Sequence, residues 1–226
     1  MVAVYKPKSP ELLSGDQCIT LHGVTVETYR KLSSELGDRS RPRLFYCEGS
    51  LELVSPSPRH ESLVEFLRSL VRICARLFKK KVYGFGSMTL ERADGQAGGE
   101  PDAVFYLGQS TSLHLATRFR PGVDPAPDLV VEVDLSSSSQ EKVKEAGLYA
   151  QLQIPEIWKY REGNELQILI FQEGKYIEQT TSHHFPDVAC ELLRQALNLH
   201  DTKDPETGLQ WFEKQLKHMV REKKKQ

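Results

Sequence analysis

Asp102 and Glu132 are the residues of this sequence whose types and setting most suggest chemistry. Asp102 opens the strand-like "PDAVFYL" and Glu132 lies inside "PDLVVEVD", thirty residues later. A sheet can place two such strands side by side, so that the two carboxylates converge. Acids brought together off an apolar sheet repel each other and lose hydration, and a cation between them relieves both. Oxygen ligands with positions left for water suit Mg²⁺, with Mn²⁺ as a substitute. Beyond Glu132, Lys142 and Lys144 begin a segment of helical composition. An ammonium near such a metal would orient an attacking water or neutralise charge developing on phosphoryl oxygens.

The elements that must position these groups can be read from periodicity. In "PDLVVEVD", Leu129, Val131 and Val133 fall on one face and Asp128, Val130, Glu132 and Asp134 on the other. An antiparallel strand with one solvated face would show the same alternation. Between Pro58 and about Lys79, Leu63, Phe66, Leu67, Leu70, Cys74, Leu77 and Phe78 recur at helical spacing and predict a long core-packing helix. His60 falls at the edge of that stripe, facing inward at the helix start, and Glu61 lies away from it.

Thr25 to Gly37 predicts a capped short helix, and "RLFYCEGSLELVS" a hairpin turning at Glu48-Gly49-Ser50. "ADGQAGGE" reads as a flexible loop, and Leu166 to Ile177 as a hairpin turning at Glu173-Gly174. Ala189 to Leu197 and Leu209 to Met219 read as two C-terminal helices. The basic "RLFKKKV" reads as a solvated helix end, His183-His184 as surface, and Trp158 and Tyr160 as packing residues.

A formal net charge of −1 gives no global attraction to nucleic acid, which would need a local basic patch. The four cysteines have no metal-ligand spacing, and no run approaches the ~18 apolar residues of a membrane span. No membrane partner and a cytoplasmic location are therefore expected.

"CEGSLELVSPSPRHESLV", "GGEPDAVFYL", "PAPDLVVEVDLSSSS" and "LYAQLQIPEIWKY", in that order, resemble the Uma family of restriction-endonuclease-like proteins, within the PD-(D/E)XK nuclease superfamily. The likeness runs from about Phe45 to Asp187. It implies an α/β fold: a helix-flanked, restriction-endonuclease-like mixed sheet in a single domain. The core is expected over 43–187, after an N-terminal segment (1–42) with a short helix and before a C-terminal helical extension (188–226).

The resemblance also implies that Asp102 and Glu132 bind the metal, with His60 and Glu61 where the first helix approaches the site. The plain superfamily motif has lysine two residues after the glutamate, where this chain has Asp134. The resemblance moves the lysine to the following helix, at Lys142 or, second, Lys144; Asp134 is then expected at the rim near it.

The implied function is Mg²⁺-dependent hydrolysis of DNA phosphodiesters. A non-catalytic module that keeps the fold and binds nucleic acid or protein is the rival. A third reading uses the 165–179 hairpin as an edge through which a homodimer would form.

Overall fold

A computed structural model describes residues 15–37, 42–86, 88–108, 119, 121–135, 144–163 and 165–223, with the backbone alone at 144–146. The strands are β1 (Gln17–His22), β2 (Arg43–Cys47), β3 (Ser50–Ser55), β4 (Val82–Phe85), β5 (Leu90–Glu91), β6 (Ala97–Gly99), β7 (Ala103–Leu107), β8 (Leu129–Asp134), β9 (Glu156–Arg161), β10 (Glu165–Gln172) and β11 (Lys175–Gln179). The helices are α1 (Val26–Leu36), α2 (Pro58–Leu77), α3 (Lys144–Tyr149, of π type), α4 (Cys190–Thr202) and α5 (Pro205–Lys223).

Two sheets form. The larger has six strands in the order β11-β10-β9-β8-β7-β4, and only β8 and β9 run parallel within it. The smaller is antiparallel, in the order β1-β3-β2-β6-β5. Leu129, Val131 and Val133 of β8, with Trp158 and Tyr160 of β9, pack against Leu63, Leu67, Leu70 and Cys74 of α2. The C-terminal helices join this same core through Leu193, Leu197, Phe212 and Leu216.

On the opposite face, Val104, Val130, Ile157 and Leu169 meet Phe45, Cys47, Val54 and Ala97 of the smaller sheet and Leu148 and Tyr149 of α3. The fold is thus a mixed α/β sheet with helices on one side and a second sheet on the other. Tyr29 of α1 covers the far side of that second sheet, stacked on Tyr46 at 4.9 Å.

Local signals account for the elements that place the site. Thr25 caps α1, its side chain accepting from the Thr28 N–H at 3.2 Å. Ser57 caps α2, accepting from the His60 N–H at 3.2 Å, with Pro58 at the first turn. Glu48 and Gly49 both take positive φ, 45° and 89°, as a two-residue hairpin of this hand requires.

The glycine-rich segment 93–100 is not a loop throughout. Ala97–Gly99 is a buried strand between β2 and β5, because side chains arriving from neighbouring elements need the space a Cβ would take. A Cβ on Gly98 would lie 2.5 Å from the Tyr29 hydroxyl, and one on Gly99 2.5 Å from the Phe45 ring. Gly99→Ala is expected to cost about 1–3 kcal/mol by overpacking, read as a lowered urea midpoint with unchanged slope. β4 is a further strand that the basic run around Lys79 to Lys81 concealed. Among the described residues no helix is long and apolar enough to cross a membrane.

Candidate active site

The acid-bearing face of β8 is not solvated. Glu132 is only 3% exposed and lies between the two sheets, while the other face of the strand is held by α2. The Tyr149 hydroxyl, from the end of α3, donates to Glu132 Oε1. Asp128, at the strand start, accepts from the Leu107 N–H at 2.6 Å and closes the end of β7.

Asp102 sits one residue before β7. The ladder pairs Ala103 with Val131, and one step further out places Asp102 opposite Glu132. There its carboxylate takes the place of a backbone acceptor, receiving the Val133 N–H on Oδ2 at 2.7 Å. Its other oxygen, Oδ1, is 2.8 Å from His60 Nε2 and forms an ion pair with Arg43. Arg43 reaches in from the start of β2, contacts His60 Nε2 at 3.1 Å and pairs with Glu61 at 3.2 Å. The sequence candidates His60, Glu61 and Asp102 are therefore drawn together, with Arg43 at their centre.

His60 is fixed from its other side by Asp16, whose Oδ2 lies 2.7 Å from Nδ1. Asp16 also accepts from the Ser57 N–H at 2.9 Å and the Leu135 N–H at 3.3 Å, tying the starts of β1 and α2 to the end of β8. Burial alone would push the Asp16 carboxyl up, but the hydrogen bonds from His60 and Ser57 and the charge of His60 hold it below its ordinary value.

A depressed carboxyl stabilises the fold above its unfolded pKa of about 3.9 and loses that contribution as pH falls through the folded value. Asp16→Asn is thus expected to cost about 1–3 kcal/mol near neutrality. Urea unfolding of both proteins should show that gap closing toward about pH 3, below the ordinary Asp pKa.

Lys142 lies outside the described residues, and Lys144 contributes only backbone to α3. Asp134 is half-buried at the end of β8, and the residue in register with it is Arg161 of β9. His184 is not bare surface: it is half-buried, its Nε2 donates to the Asp128 carbonyl at 2.9 Å, and burial pushes its imidazole pKa down.

Among the described residues no group of three or more His, Cys, Asp or Glu side chains is arranged to hold a metal. Two carboxylates are nevertheless what Mg²⁺ commonly takes from a protein, the remaining positions going to water and phosphate. In donor type and number Asp102 and Glu132 fit Mg²⁺ or Mn²⁺. Arg43, already on Asp102, is the cation with which a divalent ion would compete.

Four participants escape a reading by motif. Arg43 is signalled only as a charge opening the apolar run "RLFYC", and Tyr149 only as an aromatic in a helical segment. Lys159 is 3% exposed and stands in register with Glu132; its signal is a charge alternating with Trp158 and Tyr160 in a strand buried on both faces. Asp16 has no signal, since its role comes from a contact made 44 residues away.

A family model described as "Uma2: Putative restriction endonuclease" matches residues 26–200. No curated protein matches the chain. The crystal structure of "a putative nuclease belonging to DUF820" from Anabaena variabilis ATCC 29413 is similar at 15% identity and a TM-score of 0.49, covering 82% of this chain and 99% of that one.

Proposed function

Because the chain belongs to the Uma2 family, we propose that it is a Mg²⁺-dependent endonuclease that hydrolyses DNA phosphodiester bonds at Asp102 and Glu132. The observation that carries this reading is the burial of the two acids in opposite register on neighbouring strands, 4% and 3% exposed, at the carboxyl end of the parallel pair β8 and β9.

Mg²⁺ held there would supply Lewis acidity toward a water and a phosphoryl oxygen. Asp102 and Glu132 would hold it, and Tyr149 orients the Glu132 carboxylate by its hydrogen bond. The Val133 N–H and His60 orient Asp102 in the same way. The attacking water bonds to phosphorus as one P–O ester bond breaks. Its displaced proton ends on the leaving oxygen, giving a phosphomonoester and an alcohol. A lysine is expected to orient that water; the sequence names Lys142 and Lys144 for the role.

A second reading has its own observation. Arg43 already compensates the Asp102 charge and the His60 ring already occupies its Oδ1, as expected of a module that keeps the fold and binds nucleic acid or protein without turnover. Incubating purified protein with supercoiled plasmid and with single-stranded DNA, in Mg²⁺ or Mn²⁺ with an EDTA control, separates the two. Nicking or linearisation abolished by EDTA is expected. Intact DNA under all conditions would favour the second reading.

A further inference from the structure

Strands β7, β8 and β9 are consecutive in the larger sheet, and their register puts three functional groups in one row. Asp102 falls opposite Glu132 one step past the Ala103–Val131 pair, and Glu132 is in register with Lys159. Neighbours in register project to the same face of a sheet. For Lys159 that is the inter-sheet face, since Trp158 and Tyr160 on either side of it pack toward α2 and Ile157 packs toward the smaller sheet. The next row repeats the pairing with Asp134 beside Arg161.

Resting on the nuclease reading above, we infer that Lys159, presented by the neighbouring strand, is the lysine of the catalytic set. The position two after Glu132 is an acid, so β8 itself cannot supply an ammonium there. β9 runs parallel to β8 in register and offers one at the level of Glu132 without any change in the strand.

A buried lysine is costly to desolvate even beside a carboxylate, and an apolar residue of similar length would pack a strand interior at least as well. In the assigned role the ammonium orients the attacking water toward phosphorus and offsets charge growing on the phosphoryl oxygens. Lys159 takes no proton: the water's displaced proton ends on the leaving oxygen, as above.

A lysine that merely balances Glu132 and one that takes part in the reaction differ in what its removal does to cleavage once Mn²⁺ is bound. Lys159→Met keeps the apolar stem and removes the charge. A cation beside the metal-binding acids opposes a divalent ion, so its loss is expected to tighten Mn²⁺ binding about tenfold. The single-turnover cleavage rate in Mn²⁺ should fall about 100-fold or more. A lysine that merely balances the Glu132 charge predicts the same tightening with cleavage retained at saturating Mn²⁺, because the divalent ion then supplies the missing charge.

The experiment compares wild type with Lys159→Met, Lys142→Met and Lys144→Met. Each is measured by thermal melting, Mn²⁺ titration calorimetry and single-turnover cleavage of plasmid DNA. Lys159→Gln, which retains a hydrogen-bond donor beside Glu132, replaces the Met variant if that one does not fold.

Tighter Mn²⁺ binding with lost cleavage in the Lys159 variant alone is the expected result. Wild-type cleavage by that variant, or joint loss of cleavage and metal binding, overturns the inference while leaving the nuclease reading in place. If wild type binds Mn²⁺ yet cleaves no DNA tried, unchanged or weaker Mn²⁺ binding by the variant overturns it. If wild type neither binds Mn²⁺ nor cleaves, the nuclease reading fails and this inference with it.

Discussion

Glu132→Gln is expected to reduce Mg²⁺-dependent DNA cleavage by about 1000-fold or more, the scale of losing a group that stabilises charge in the transition state. The substitution is nearly isosteric, and the Gln carbonyl oxygen can still accept the Tyr149 hydroxyl bond made by Glu132 Oε1. What is lost is the negative charge offered to the ion.

Asp102→Asn should be as damaging to cleavage but less clean structurally. Its oxygen can still receive the Val133 N–H, yet Arg43 then keeps only Glu61 as a counter-charge. Single-turnover assays across a Mg²⁺ series distinguish a raised metal requirement from a lowered maximal rate. Equal cleavage by both variants and wild type would remove these acids from the reaction.

Arg43→Met is expected to destabilise the metal-free protein by about 3–5 kcal/mol, the usual consequence of stripping one partner from a buried ion pair. Arg43 is 6% exposed and touches Asp102, His60 and Glu61, so its loss strips the buried Asp102 carboxylate of its guanidinium partner. A divalent ion at Asp102 replaces the missing cation. Urea unfolding should therefore show the deficit shrinking as Mn²⁺ is added, by the linkage of binding to the folded state. The same variant should bind Mn²⁺ more tightly than wild type, because the competing guanidinium is gone. A deficit indifferent to Mn²⁺ would mean that Arg43 and the metal do not share Asp102.

The parts of the fold and site that depend on one segment's own periodicity were legible in the sequence. The stripe from Leu63 to Leu77 predicts α2 and the inward place of His60, and the alternation in "PDLVVEVD" separates Val131 and Val133 from Glu132. The Glu48-Gly49 and Glu173-Gly174 turns predict both hairpins, and each pair takes the positive φ angles such turns need.

Of the second sheet only the β2–β3 hairpin was legible. The sheet's strand Ala97–Gly99 is made of small residues whose value is the room they leave for Tyr29 and Phe45, a property of the partners and not of the segment. The network on Asp102 is hidden for a related reason: Asp16, Arg43 and His60 meet only when three elements have packed. Lys159 shows the limit most plainly. As part of "IWKY" it is one polar residue between two aromatics, and only the parallel register of β8 and β9 puts it beside Glu132.

The central claim is that Asp102 and Glu132 together hold a divalent ion. The most direct measurement is anomalous diffraction from a crystal of the protein soaked in Mn²⁺. An anomalous peak between the two carboxylates, with the Arg43 guanidinium drawn back from Asp102 Oδ1, is the result expected. A crystal that takes up Mn²⁺ elsewhere, with Arg43 still paired to Asp102 and no density between the acids, would contradict it.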